Sequence, residues 1–306
     1  MNTNKKIAVT GGLGFIGSCF VDMALERGYS VINIDKKTYA ARKDTGFETR
    51  KSYTLIEKDI CDIDKIPVGV SFIVNFAAES HVDNSIKTTT PFLKSNVEGV
   101  HNLLEKIRAM DASDRPVFMQ ISTDEVYGDI LEGSFNETDR LKPSNPYSAT
   151  KAAAEELVHG WGRTYGLRYR ITRSSNNYGD GQCAEKFIPC IMELARQNKK
   201  ARVYGNGQQR REWTYTKDNC EAIFLVMEKG ADGQTYNISS GEELTNLEVV
   251  KKVLRAVGKP ESFYESVADR PGHDLRYSVS SDKIRALGWK PSMTLERYLT
   301  KHKLGL

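Results

Sequence analysis

Two groups of residues in this chain have types and spacings that could do chemistry. Tyr147 and Lys151 stand four apart in Tyr147-Ser148-Ala149-Thr150-Lys151. A lysine cation beside a phenol favours the phenolate, lowering a pKa that is ~10 when unperturbed, so such a tyrosine could take a proton near neutral pH. The pair suits removal of the hydrogen of an alcohol while its hydride leaves for a nicotinamide. The other group is a hydroxyl and two carboxylates, Thr123, Asp124 and Glu125, within Ile121-Ser122-Thr123-Asp124-Glu125-Val126-Tyr127-Gly128. Tyr-x-x-x-Lys also occurs by chance on amphipathic helices, so the surrounding elements decide its weight.

Those elements have the periods of an α/β protein. Val117 to Ile121 is a short apolar run after Pro116, of the length of a buried parallel strand. In an open α/β sheet, ligands sit outside the carboxyl ends of the strands, where Thr123, Asp124 and Glu125 would project. After Pro143 and Pro146, the alanine-rich segment Tyr147 to Tyr165 has strong helix propensity, which puts Tyr147 and Lys151 on one face.

Upstream, strand Lys6 to Thr10 runs into Gly11-Gly12-Leu13-Gly14-Phe15-Ile16-Gly17, and a helix follows through Val21 to Glu26. Glycines at 11, 14 and 17 permit a tight turn, backbone N–H groups close to a pyrophosphate, and helix packed closely on strand. The spacing is one residue off the commonest dinucleotide fingerprint, but strand before and helix after favour phosphate cradling over a plain turn. Strand Val31 to Ile34 ends at Asp35, placed for the ribose hydroxyls, where a carboxylate repels a 2′-phosphate and favours NAD over NADP. Lys36 and Lys37 count the other way, as two cations able to accept that phosphate.

Tyr53 to Glu57 reads as a third strand, with Asp59 and Ile60 beyond it near an adenine edge. Phe72 to Phe76 reads as a fourth, opening into Ala77 and Ala78, small enough for a flat cofactor to approach, and then Ser80 and a structural His81. A helix over Phe92 to Ala109 carries Asn96, and Arg168 to Arg173 makes a sixth strand. The alternation implies a doubly wound parallel sheet. Gly11, Gly14, Phe15, Ile16, Gly17, Asp35, Lys36, Asp59, Ile60, Ala77, Ala78 and Asn96, with Tyr147 and Lys151, are the expected cofactor contacts.

Beyond the sixth strand the pattern changes. Ser174 to Gly181 is loop-like, helix Lys186 to Gln197 follows, and Arg210-Arg211-Glu212-Trp213 places two guanidinium groups beside a large aromatic. Arginine forks suit phosphate oxygens, the alternative being a solvated basic turn. Tyr236 to Ile238 reads as a strand, Asn246 to Val257 as a helix ended by Gly258 and Pro260, and Ala268 to Asp274 as a polar turn.

Composition sets outer limits. The 306 residues are 39% hydrophobic and 27% charged, as in ordinary soluble domains. A net charge of +4, scattered rather than blocked, fits an anionic small ligand and not nucleic acid. Five dispersed cysteines without a Cys-x-x-Cys pair read as reduced thiols rather than a metal or disulfide site. The N-terminus lacks the apolar core of a signal peptide, and no apolar stretch approaches the ~20 residues that span a bilayer, so a cytoplasmic protein without membrane attachment is expected.

The glycine turn, Thr123-Asp124-Glu125, Tyr147 with Lys151, Asn176-Asn177-Tyr178-Gly179, Arg211-Glu212-Trp213 and Asp269-Arg270-Pro271-Gly272-His273-Asp274 together resemble the extended short-chain dehydrogenase/reductases. Within them the chain is similar to the dTDP-glucose 4,6-dehydratase group over essentially its whole length. The Thr-Asp-Glu element is the most specific part, because epimerases and decarboxylases of the superfamily share the rest.

The resemblance implies a Rossmann domain over 1–175, rejoined by a segment at about 214–240, and a smaller α/β nucleotide-sugar domain over 176–306. It implies that Tyr147, held by Lys151, takes the C4 hydroxyl proton of the sugar with Thr123 bonded to that hydroxyl, while hydride passes to NAD. Glu125 would remove the C5 proton, and protonated Asp124 would release the C6 hydroxyl as water. Ser80, Thr123, Asn176, Lys186, Arg211, Asn246, Arg270 and His273 would hold the nucleotide-diphosphate sugar. A homodimer would pair the Phe92 and Tyr147 helices. The short loop from Asp129 to Asn145, Asn84, Asp180 and Cys183 depart from the group's usual pattern, which leaves the donor open among dTDP, UDP and other nucleotides. The rivals are a nucleotide-sugar 4-epimerase, a UDP-glucuronate decarboxylase, and a non-catalytic NAD sensor.

Overall fold

The computed structural model describes residues 5–269 and 272–301. Strands run over Lys6–Thr10 (β1), Ser30–Asp35 (β2), Tyr53–Glu57 (β3), Phe72–Asn75 (β4), Val117–Thr123 (β5), Tyr169–Ser174 (β6), Asn176–Tyr178 (β7), Ala201–Tyr204 (β8), Arg210–Tyr215 (β9), Gln234–Ile238 (β10), Glu243–Thr245 (β11) and Tyr264–Val267 (β12). Helices cover Phe15–Glu26 (α1), Val82–Lys87 (α2), Thr90–Leu93 (α3), Gly99–Arg108 (α4), Pro146–Tyr165 (α5), Phe187–Arg196 (α6), Thr216–Lys229 (α7) and Asn246–Ala256 (α8).

The doubly wound sheet is present, with seven strands in the order β10-β6-β5-β4-β1-β2-β3, every neighbouring pair parallel. Its central strands β1, β4 and β5 are buried almost throughout and largely apolar because helices cover both faces. Ile7 and Val9 face one apolar layer with Phe20 of α1 and Phe224 of α7, whose rings stack at 4.3 Å. Ala8 faces the other layer, with Leu103, Ile107 and Val158. Strand order reverses between β1 and β4, and ligands of such sheets bind at that reversal. The glycine turn leaves β1 there, so close to β4 that a Cβ on Gly11 would stand 2.6 Å from the Ala77 nitrogen.

Two local features set the frame of the site. The helix predicted as one piece from Phe92 to Ala109 is interrupted by a π-helical turn over Lys94–Glu98. Helix α5 starts one residue before Tyr147, fixed by a capping box in which the Asn145 side chain accepts from the Ser148 N–H at 3.0 Å.

The remaining strands form a three-stranded sheet, β11-β9-β7, and a two-stranded one, β12-β8. This corrects one expectation and sets aside one alternative. The loop-like Asn176 to Tyr178 is a strand, and Arg210 to Trp213 is no solvated turn but part of β9, with Arg211 to Tyr215 buried. A third core of Tyr178, Trp213, Val250 and Leu299 lies beneath it. Among the described residues no helix is long and apolar enough to cross a membrane.

Candidate active site

One cavity of about 330 Å³ runs along the sheet reversal, within the ~300–1,000 Å³ usual for small-ligand sites. Thr123, Asp124 and Glu125 line it from the end of β5, and Tyr147 and Lys151 from α5. The predicted cofactor positions Gly11, Gly14, Phe15, Ile16, Gly17, Asp35, Lys36, Asp59, Ile60, Ala77 and Ala78 line it too, as do Ser80, Asn176 and Lys186. Sequence positions up to 175 residues apart thus meet in one space.

Four predicted contacts stand elsewhere. Asn96, in the π-helical turn, bonds the N–H and C=O of Glu79 at 2.9 and 3.0 Å and the Thr150 hydroxyl at 2.9 Å, so it braces the wall. Arg211 is buried outside the lining, donating to the carbonyls of Arg210 at 2.7 Å and Asp274 at 2.9 Å, its guanidinium 4.1 Å over the Tyr277 ring. Asn246 opens α8 with its N–H on the Gln209 carbonyl at 2.9 Å. His273 is bonded to Asp269 at 2.6 Å. Arg270 lies outside the described residues.

Asp124 is 2% exposed. Burial, then the charges of Glu125 and Glu212, push its carboxyl well above the ordinary range, against Arg211 and a Thr123 hydrogen bond. One oxygen accepts from the Thr123 hydroxyl at 3.2 Å, and the other is buried with no hydrogen-bond partner. Both features favour the protonated carboxyl over the carboxylate. Glu125 is less buried, and its carboxylate accepts from the amide of Asn145, the residue that caps α5, at 3.4 Å. The two carboxyls therefore have different surroundings.

The expected lysine-stabilised phenolate is not what the side chains make by themselves. Lys151 donates to the Ile121 carbonyl at 2.6 Å, and burial pushes its ammonium down to about 8, against the charge of Glu155. Burial, then Glu125 and Asp124, push the Tyr147 phenol up, and a hydrogen bond with Thr123 pulls the other way. Lys186 donates to the carbonyl and hydroxyl of Ser80 at 3.0 and 3.3 Å.

At the other end the walls fit a dinucleotide. Gly11 has φ +69, and a Cβ on Gly17 would stand 2.2 Å from the Gly11 carbonyl oxygen, so the turn closes only with glycine at both positions. Asp35 accepts from the Leu13 and Lys37 N–H groups at 2.9 and 2.8 Å, which holds its carboxylate at the cavity. The two lysines that could have welcomed a 2′-phosphate are engaged with acids: Lys36 with Asp59 at 3.3 Å, Lys37 with Glu57 at 2.8 Å.

Some residues escaped sequence reasoning. Gly12 leaves room for Asn33, whose side-chain oxygen would stand 2.4 Å from a Cβ there and accepts from the Gly12 N–H at 2.9 Å, and the doubled glycine was its signal. Tyr39 and Glu185, bonded at 2.9 Å, face each other across the cavity from loops with no periodicity to reveal them. Asn177 lines the cavity with a buried, unpartnered carbonyl oxygen.

Residues 8–302 match the family described as GDP-mannose 4,6 dehydratase. A low-salt glycan biosynthesis protein of Haloferax volcanii is 47% identical over 95% of this chain and 94% of its own. A dTDP-glucose 4,6-dehydratase of Haemophilus influenzae is 43% identical over 96% and 95%. The crystal structure of a dTDP-glucose 4,6-dehydratase from Streptomyces venezuelae, solved with NAD bound, superposes with a TM-score of 0.92 at 39% identity, covering 97% of this chain and 95% of that one. With a match of this extent and the acid pair seated beside Tyr147, the chain belongs to the GDP-mannose 4,6 dehydratase family, among the nucleotide-sugar dehydratases of the extended short-chain dehydrogenase/reductases.

Proposed function

We propose that this protein is an NAD-dependent nucleotide-sugar 4,6-dehydratase, converting an NDP-hexose such as dTDP-glucose or UDP-glucose to its 4-keto-6-deoxy form. The observation that carries it is Asp124, a carboxyl buried with one oxygen unpartnered and so biased towards its protonated form, next to Glu125 in the cavity that also holds Thr123 and Tyr147. The names of the relatives support the same reading.

The chemistry that bound NAD would supply is a ring cation that favours phenolate at Tyr147 before oxidation, hydride uptake from C4, and return of that hydride at C6. Gly11, Gly14 and Gly17 would seat the pyrophosphate, and Asp35 the adenosine ribose. Thr123 orients the C4 hydroxyl, and Tyr147 takes its proton. The C4 ketone acidifies C5. Glu125 removes the C5 proton, Asp124 gives its own to the departing C6 hydroxyl, and one water leaves. Glu125 then returns a proton to C5, and the proton taken by Tyr147 is released as Asp124 regains one, so both groups are reset and the sugar is oxidised at C4, reduced at C6 and short of one water. Placed acids and bases of this kind contribute about 10²–10⁴ each.

The test is mass spectrometry of the purified protein with dTDP-glucose and UDP-glucose in parallel, without added cofactor. Loss of one water from either is expected, and relative rates name the nucleotide. A 4-epimerase or decarboxylase would need Tyr147 and Lys151 but no acid pair. Full turnover by Glu125→Gln would establish such an enzyme instead.

The engaged lysines and Asp35 lead to a further expectation. NAD should bind at least about tenfold more tightly than NADP, and Asp35→Asn should narrow the ratio, since it removes the charge that repels a 2′-phosphate. Titration calorimetry with both nucleotides decides it, and equal affinities in the parent would refute it.

In the same reading, residues 1–175 with the returning 214–240 segment hold the cofactor, and 176–306 hold the nucleotide sugar. The place of β10 beside β6 and the packing of α7 on α1 support that division. A homodimer through α4 and α5 fits the exposed small residues Ala149, Ala153 and Gly160 along α5, which let a partner helix approach. Light scattering at micromolar concentration should give twice the chain mass.

A further inference from the structure

A buried ion pair lies behind the catalytic residues and takes no part in the chemistry above. Glu155 and Arg173 are 0% and 3% exposed. Arg173 grips the Glu155 carboxylate through Nε and Nη2, with contacts of 2.9 and 2.7 Å to one oxygen and 3.2 Å to the other. Its remaining nitrogen donates to the Tyr127 hydroxyl at 2.5 Å, and the guanidinium lies 4.6 Å over that ring. Tyr127 in turn donates to Asn237 of β10 at 2.9 Å, and Phe135 stacks on it at 5.0 Å.

A pair so buried is weak evidence of stability, because desolvating two charges offsets most of their attraction and apolar residues of similar volume often do as well. Its placement is more telling. Glu155 is one turn beyond Lys151 on α5, on the same face. Tyr127 closes the 3₁₀ turn Asp124–Tyr127 that carries both carboxyls. Arg173 sits on β6 opposite Ser122, the residue before Thr123. One guanidinium thus joins the helix bearing Tyr147 and Lys151 to the turn bearing Asp124 and Glu125, segments that must act on adjacent carbons of one sugar.

We propose that Glu155 and Arg173 are positioning residues that lock these two catalytic segments into a single frame, acting through α5 and Tyr127 without touching substrate. This deepens the dehydratase reading and rests on it only where turnover is measured. Displacement of a catalytic group by about 1 Å can lower a rate about 10²-fold.

The test compares Glu155→Gln, Arg173→Lys and the double variant Glu155→Met with Arg173→Met. In each, kcat should fall about ten- to a hundredfold while KM stays within about threefold, a loss of transition-state geometry rather than of binding. The double variant should melt near the parent, which separates positioning from stability. Amide hydrogen exchange should rise over 124–128 in all three without a global increase. That measurement needs no substrate, so it tests the lock even if the parent loses no water from any sugar tried, an outcome that counts against the dehydratase reading alone. A folded double variant with kcat within about twofold of the parent and unchanged exchange over 124–128 would overturn the proposal. Should the double variant not fold, the same result in Arg173→Lys, which keeps the charge but loses the fork, overturns it equally.

Discussion

Asp124→Asn is expected to slow water loss by orders of magnitude and, at neutral pH, to raise the melting temperature. The first effect follows from the proposed role. An amide has no proton to give the C6 hydroxyl, and loss of a placed general acid lowers the rate about 10²–10⁴-fold. The second follows from linkage. Burial holds the Asp124 carboxyl well above its ordinary range, whereas in the unfolded chain it titrates at ~3.9. Between those two values the native state binds more protons than the unfolded state, so stability falls as pH rises through that window, by about 1.4 kcal/mol per unit. Asparagine has no such window. The advantage of the variant should vanish below ~pH 3.9 and grow above it. Calorimetric melting across pH checks this; a variant less stable than the parent at pH 7 would show that the native carboxyl is ionised.

Tyr147→Phe should lower turnover by a similar ~10²–10⁴-fold, but it stops the reaction one step earlier, and an isotope separates the two variants. Without Tyr147 no ketone forms at C4, so C5 is never acidified. In deuterated water, Asp124→Asn should exchange the C5 hydrogen of the sugar through Glu125 without losing water, while Tyr147→Phe should exchange nothing. Exchange by the phenylalanine variant at the rate of Asp124→Asn would remove the tyrosine from the mechanism. In the parent, Lys151 loses its ammonium charge as pH rises through about 8, so turnover should fall along that alkaline limb. Stability moves in the opposite sense. The unfolded lysine keeps its proton to ~10.4, and from about 8 to that value the unfolded state binds more protons, so this group's contribution to stability rises with pH.

The parallel sheet was legible because its central strands β1, β2, β4 and β5 share one physical signature, a largely apolar run ending in small or polar residues, and β3 and β6 fall in the alternation that those strands set. The acid pair and the Tyr147 helix were legible for the same reason, since a strand end and a helix face position them locally. What could not be read depends on partners distant in the chain. Arg210 to Trp213 looks like a basic turn until the carbonyls of Asp274 and Leu275 arrive to accept from Arg211, more than sixty residues on. Asn96 sat on the expected helix, but nothing local signals the π-helical turn that aims it at Glu79 instead of the cavity. The Tyr147–Lys151 spacing was visible, yet the Ile121 carbonyl that takes the ammonium comes from another element.

The return of β10 to the large sheet bears on how the chain must be made. Until residues 234–238 have left the ribosome, β6 is an open edge whose N–H and C=O groups lack a neighbour on one side, a template for aggregation. The Asn237 side chain that holds Tyr127 arrives with that strand. Synthesis from the N-terminus therefore completes the seven-stranded sheet only after much of the three-stranded one has emerged. A fragment cut at residue 175 would retain every predicted nucleotide-contacting glycine, yet would have neither its outer strand nor the anchor of its catalytic turn. Complementation of two halves would tolerate a break after β10 far better than one before it.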